Sequence, residues 1–338
     1  MIKSVRLHAP RDIRVHDEPL PVPQPGEVLV RITAAGICGS DIHWYREGSI
    51  GDAQLGQPRV IGHEAGGVIA SGSRAGQRVA IEPAIACRRC ERCESGDPNL
   101  CTNLRFSGSD GETDGMFREM IAWPEDLLFP VPDELGDADV ALLEPLGIGL
   151  FSMDLGHPGP GSTVGVFGCG PIGLMLIQLA RLAGASRVFA TDVRAHRLEA
   201  AARAGASDCF PADRKEAERI LEVTAGRGVD VAFEVAGENP AVEAAIEAAR
   251  YGGRVVLVGI PEDDRTWFRA SVARRKGVTL KFVRRMKHVY PRAIDLTARG
   301  RLDLGWLVTH RFPWEGGAEA FQVAERREGL KVVFEPRD

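Results

Sequence analysis

The chain has 338 residues, of which 44% are hydrophobic and 26% charged, with a formal net charge of -5. That length accommodates about two domains with apolar cores of their own, and the composition is that of a globular protein rather than a disordered or membrane-embedded one. With no basic arm or face there is no electrostatic footing for nucleic acid, and the short run Arg274-Arg275-Lys276 reads as solvated surface.

In chain order, residues 1–123 show apolar runs at 28–32, 68–70 and 79–81 broken by Pro, Gly and charge, which predicts an irregular β domain. The proline-rich stretch 19–25 reads as a rigid loop. Nothing reaches the roughly 18 consecutive apolar residues that span a bilayer, and the N-terminus lacks a charged and apolar leader, so the expected location is the cytoplasm. From 162 to 282, β-branched runs alternate with Ala/Leu-rich stretches: strands are predicted at 163–167, 187–192, 229–234 and 253–258, and helices at 172–183, 197–204 and 240–249. Such alternation marks a parallel sheet covered by helices. Beyond 284 short mixed elements return, with an amphipathic helix at 318–327 and a last strand at 331–335. The predicted organisation is α/β, with a β-rich domain made of 1–145 plus 284–338 and a parallel-sheet domain, 146–283, inserted in it.

Within the inserted domain, the run Val164-Gly165-Val166-Phe167-Gly168-Cys169-Gly170-Pro171-Ile172-Gly173 sets G-x-G-x-x-G between a strand and a helix. In that context Gly168 allows a tight turn, Gly170 lets a pyrophosphate approach the backbone, and Gly173 lets helix and strand pack closely, while the helix N-terminus offers free N–H groups to the phosphates. Asp192 closes the next strand, where a dinucleotide fold places the acid that takes the adenosine ribose hydroxyls; it favours NAD over NADP, although Arg194 and Arg197 lie near enough to offset some of the repulsion. Asp192 could also cap the following helix, and the two roles are compatible.

Four of the seven cysteines, Cys87, Cys90, Cys93 and Cys101, are crowded into C-x2-C-x2-C-x7-C. Four thiolates suit a closed, tetrahedral structural zinc; an iron–sulfur cluster is the competing group, though the spacing differs from ferredoxin runs, and unliganded thiols so close together would invite oxidation. A second, dispersed set comprises Cys38, His63, Glu64 and Glu144. Singly, each has an ordinary structural reading, as a small core residue, a bonded histidine or a surface charge. Together they offer S, N and O donors suited to a catalytic zinc with one open position.

The stretches Ile37-Cys-Gly-Ser-Asp-Ile-His43, Gly62-His-Glu-Ala-Gly66, Gly76-Gln-Arg-Val-Ala-Ile-Glu-Pro83, Leu143-Glu-Pro-Leu146, 166–192 and Leu307-Val-Thr-His-Arg-Phe-Pro313 resemble the zinc-containing medium-chain dehydrogenases, most of all the sorbitol (polyol) dehydrogenases. The resemblance implies a GroES-like catalytic domain in two segments, a Rossmann domain between them, one catalytic and one structural zinc per subunit, NAD, a small alcohol or polyol substrate, and a homo-oligomer, dimer or homotetramer. It assigns Cys38, His63 and Glu64 to the catalytic zinc, with Glu144 binding it directly or through water. Ser40 and His43 fall to a proton relay, Pro171, Ile172 and Arg197 join the cofactor site, and Trp44 and Arg285 line the substrate site. Trp44 stands where that family commonly has a tyrosine, and Gly147-Ile-Gly-Leu-Phe151 departs from its usual form. The activities that compete with polyol oxidation are threonine 3-dehydrogenase-like, sugar 1-dehydrogenase-like and general secondary-alcohol dehydrogenase chemistry. A non-catalytic dinucleotide-binding protein would have lost Cys38 or His63, and a zinc hydrolase would not need Gly168, Gly170, Gly173 and Asp192.

Overall fold

A computed structural model describes residues 1–110 and 113–336. The chain divides into two compact units, Met1–Pro145 with Lys287–Asp338, and Leu146–Met286.

The first unit is built on a seven-stranded sheet. Its lateral order is Leu128–Pro130, Arg78–Ile81, Glu64–Ile69, Glu27–Gly36, Lys331–Phe334 and Val308–Phe312, with Met120–Pro124 pairing the first half of Glu27–Gly36. Glu27–Gly36 alternates buried and partly exposed side chains over its first half and is buried throughout its second, where the neighbouring strands Glu64–Ile69 and Lys331–Phe334 flank it. The start of Glu64–Ile69 and the last strand thus lie on either side of Glu27–Gly36, across which the side chains of Glu64 and Lys331, 267 positions apart, meet. Around them Trp44, Phe117, Trp314, Phe321 and Phe334 fill the core.

Gly39–Glu47 forms a helix that the apolar pattern did not announce, because its ends specify it. Cys38 is the N-cap in extended conformation; Asp41 at the third helical position returns its carboxylate to the Cys38 N–H (2.9 Å), and Gly48, at φ 67°, closes the other end.

The second unit is a six-stranded parallel sheet of Thr163–Phe167, Arg187–Asp192, Asp208–Pro211, Val229–Glu234, Ala249–Leu257 and Thr279–Phe282. Counted in chain order, the strands lie 3-2-1-4-5-6, so the order reverses between the first and the fourth. Helices Pro171–Leu182, Ala195–Arg203, Glu216–Val223, Asn239–Ala248 and Ala270–Lys276 connect them. The fifth strand begins at Ala249, four positions before the expected 253, and the third and sixth strands were not foreseen. Lys276 corrects the reading of 274–276 as plain solvated surface: it is half-buried, and its ammonium donates to the carbonyls of Glu247 and Ala249, the latter at 2.7 Å. Among the described residues no helix is long and apolar enough to cross a membrane.

Candidate metal and dinucleotide sites

In the first unit, Cys38, His63 and Glu64 bring one ligand atom each to within 4.8 Å of one another. Their positions follow from the fold: Cys38 caps the helix Gly39–Glu47, while His63 and Glu64 enter the strand that pairs with Gly36. Burial, followed by the Glu64 carboxylate, pushes the Cys38 thiol well above its ordinary value. Glu144, in the first turn of Leu143–Gly156, is buried and pushed up to about 8 by desolvation and then by Glu64 and Glu82, against the pull of His63 and Lys331. Sulfur, imidazole and carboxylates that cannot comfortably ionise together in a buried place fit a divalent cation, which reverses that penalty. Glu144 is electrostatically within reach of this group but not among the three residues that converge within 4.8 Å.

Two residues support this cluster that sequence reasoning did not single out. Asp41 is fully buried; besides bonding the Cys38 N–H, its other oxygen lies 3.6 Å from His63 Nδ1, an ion-pair separation that places a carboxylate behind the imidazole. Lys331, also buried, ion-pairs with Glu64 Oε2. Lys331 carries no local signal of that role, whereas Asp41 lies within the stretch Ile37–His43. Ser40 Oγ lies 3.5 Å from His63 Nε2, and His43 Nδ1 lies 3.8 Å from Glu47 Oε1.

Trp44, expected beside the substrate, is a core residue instead. It is 0% exposed, its indole N–H donates to Ser109 Oγ at 3.2 Å, and the Arg59 guanidinium stands over the ring, so it presents no surface to a ligand. Its place on the inward face of Gly39–Glu47 decides this, beside Tyr45 in the same apolar cluster.

Cys87, Cys90, Cys93 and Cys101 converge separately, none of them in a disulfide. Cys90 Sγ is 3.5 Å from Cys93 Sγ and 3.8 Å from Cys101 Sγ. Four thiolates at about 2.3 Å from a tetrahedral zinc stand about 3.8 Å apart, close to these two separations, so the four cysteines suit that ion. Backbone N–H groups of Cys93 and Thr102 lower the Cys90 thiol to about 5, while desolvation and Cys90 push Cys93 up to about 12.

In the second unit the glycine-rich turn fits a dinucleotide. Gly168 has φ 108°, and a Cβ there would come 2.8 Å from the Ala236 nitrogen. Gly173 packs onto the Gly168 carbonyl with no room for a side chain. Over Gly170, the N-cap of Pro171–Leu182, the space is open, with Arg197 Nη1 at 4.0 Å from where a Cβ would stand. A pyrophosphate is accommodated by such an opening at a helix N-terminus. Pro171 and Ile172 form the helix's first turn. Asp192 ends the second strand; its Oδ2 accepts the Cys169 N–H (2.8 Å), its Oδ1 the Arg194 N–H (2.9 Å), and Arg197 Nη1 lies 4.0 Å away. Arg285 is half-buried with φ 58°, in the segment after the last strand of this sheet.

Comparison with known proteins agrees with this geometry. Residues 24–133 match the alcohol dehydrogenase GroES-like domain and residues 171–299 the zinc-binding dehydrogenase domain. The chain is 35% identical to a sorbitol dehydrogenase of Bacillus subtilis (strain 168) over 99% of its own length and 97% of the relative's. It is 35% identical to an L-idonate 5-dehydrogenase of Vitis vinifera, covering 96% and 92%. An alcohol dehydrogenase of Escherichia coli CFT073, solved with NADH, superposes with a TM-score of 0.91 at 28% identity over 99% of both chains.

Proposed function

The chain belongs to the zinc-dependent medium-chain dehydrogenases, and we propose that it oxidises a secondary hydroxyl of a polyol, such as sorbitol, to a ketone with NAD. The observation that carries the reading is the Cys38, His63 and Glu64 donor set in a chain that also holds the Gly168–Gly173 turn and Asp192. A metal centre together with a dinucleotide site serves hydride chemistry, whereas a hydrolase has no use for the second. The polyol class is supported by relatives that act on sorbitol and idonate.

Zinc, when bound, supplies Lewis acidity at the substrate hydroxyl, and NAD takes up the hydride. The chain's own residues hold these groups and move the proton. Cys38, His63 and Glu64 ligate, with Glu144 in reach. Asp41 orients His63, and Lys331 keeps the Glu64 carboxylate compensated within the protein. Ser40, beside His63, would accept the hydroxyl proton while giving up its own towards His43, which would pass it to solvent. Asp192 accepts from the adenosine ribose, and Arg197 faces the phosphates above Gly170. Arg285 donates to the hydroxyls neighbouring the reacting one. Cys87, Cys90, Cys93 and Cys101 hold the structural zinc.

A second copy of the chain is the natural partner of the edge strand Thr279–Phe282, whose Phe282 is 68% exposed. Such an edge invites strand pairing, in keeping with a homodimer or homotetramer. Cysteines used for metal rather than disulfides suit the cytoplasm.

The test is NADH formation with a panel of polyols, aldoses, threonine and simple alcohols. Vicinal polyols should give the highest kcat/KM. A higher value for threonine or a simple alcohol would replace the substrate class, and no NADH from any member would overturn the reading.

A further inference from the structure

The reaction above makes no use of Glu234, although it is the last residue of the fourth parallel strand and only 1% exposed. In the sheet it stands between Phe167 of the first strand and Leu257 of the fifth. Its side chain folds back over its own turn. Oε1 accepts the N–H of Ala236 and of Gly237, each at 2.7 Å. The Gly259 N–H donates to the Glu234 main-chain carbonyl at 3.1 Å, and Gly259 approaches the side chain so closely that a Cβ there would come 2.8 Å from Oε2. Glu234 therefore closes its own turn with its carboxylate, which packs against Gly259, and bonds the end of the fifth strand with its main-chain carbonyl.

The opposite side of the same turn meets the glycine-rich turn. A Cβ on Gly168 would come 2.8 Å from the Ala236 nitrogen and 3.0 Å from the Val235 carbonyl carbon, and the Val235 N–H donates to the Phe167 carbonyl at 2.8 Å. Residues 235–237 are thus held between Gly168 on one side and the 259–260 backbone on the other. These are the carboxyl ends of the first, fourth and fifth strands, around the point where strand order reverses. Open α/β sheets take their ligands there. Beyond Gly237 the turn opens onto a cavity of about 630 Å³ that Glu238, Asn239 and Trp267 help to line.

A buried carboxylate is a costly way to close a turn, since burial disfavours its charge and only the convergent N–H groups offset that. We propose that Glu234 is a positioning residue for the cofactor: by pinning residues 235–238 against Gly168 and Gly259, it shapes the wall of the dinucleotide crevice facing the glycine-rich turn. This rests on the NAD reading given above. Glu234 does not touch the reacting atoms and acts through the backbone it holds. Alanine would remove the side-chain acceptor of Ala236 and Gly237 and leave only the main-chain bonds at either end of the turn, whereas in Glu234→Gln the amide oxygen can still accept from Ala236 and Gly237 while its NH2 faces Gly259.

Calorimetric titration of NADH into the zinc-loaded wild type, Glu234→Gln and Glu234→Ala tests this, together with their zinc content, their melting temperatures without cofactor, and KM for NAD against kcat. Losing one or two charge-assisted hydrogen bonds corresponds to roughly ten- to hundredfold weaker NADH binding in Glu234→Ala. A smaller loss is expected in Glu234→Gln, with KM for NAD rising in step, kcat at saturating NAD near wild type, and both zincs retained. Should the alanine variant fail to fold, the glutamine variant carries the test. Wild-type NADH affinity in a folded variant, whatever its melting temperature, would show a structural role only and overturn the proposal. A wild type that does not bind NADH would instead overturn the cofactor reading, and this inference with it.

Discussion

Replacing Asp192 by alanine puts the cofactor reading at greatest risk. The residue is 6% exposed, and its two oxygens already accept the N–H groups of Cys169 (2.8 Å) and Arg194 (2.9 Å). A carboxylate has further lone pairs, and these are what a ribose hydroxyl would use. A hydrogen bond to a charged group contributes about 1.5–3 kcal/mol, so Asp192→Ala should weaken NADH binding by about 10- to 150-fold. The same change leaves the buried Cys169 N–H without its acceptor, at a cost of about 1–3 kcal/mol in stability. Asp192→Asn is the companion variant, since its amide oxygen can still serve Cys169. With the negative charge gone, Arg197, now 4.0 Å from that carboxylate, becomes available to a 2′-phosphate, and discrimination against NADPH should relax. Calorimetric titration with NADH and NADPH, alongside thermal melts of the apoprotein, separates the two effects. Unchanged NADH affinity in folded Asp192→Ala, or a wild type that prefers NADPH, would refute the reasoning.

The two metal centres should separate by mutation: Cys38→Ala loses turnover and one zinc but keeps its fold, whereas Cys93→Ala loses the other zinc and melts earlier, because the thiolate cage contributes folding free energy. Metal analysis with melting curves reads both, and full activity in Cys38→Ala with one zinc missing would sink the assignment. Arg285→Ala should reduce kcat/KM on vicinal polyols by about 1.5–3 kcal/mol and spare a small secondary alcohol; equal losses on both would count against its role. Although burial opposes it, hydrogen bonds from Arg227, the Thr163 N–H and Arg250 hold Asp230 well below the usual carboxylate range. A depressed folded-state pKa gives stability that is present above the unfolded value and lost as pH falls. Asp230→Asn should therefore cost about 1.5–3 kcal/mol near neutrality, the gap to wild type closing below about pH 3.9. Urea unfolding of the apoprotein across pH checks this, and a gap independent of pH would contradict it.

What the sequence made legible was whatever is written locally. Thr163–Phe167, Arg187–Asp192 and Val229–Glu234 are short β-branched runs buried on both faces, and their apolar content alone marks their bounds. The Cys87–Cys101 cage and the Gly168–Gly173 turn are likewise contiguous. Asp208–Pro211 and Thr279–Phe282 escaped because they are edge strands of four residues, with Asp208, Lys281 and other polar or exposed positions diluting the pattern. Lys331 escaped for another reason: only the pairing of the last strand with Glu27–Gly36 sets its ammonium beside Glu64. Trp44 shows the converse error, where a position taken from a family motif said nothing of which helix face turns into the core.

The most direct test of the central claim is turnover of a vicinal polyol with NAD as zinc is removed and restored. NADH formation should vanish when the Cys38, His63 and Glu64 site is emptied while the Cys87–Cys101 site keeps its ion, and it should return in proportion to the zinc added back. Undiminished NADH formation with that site empty would contradict the account.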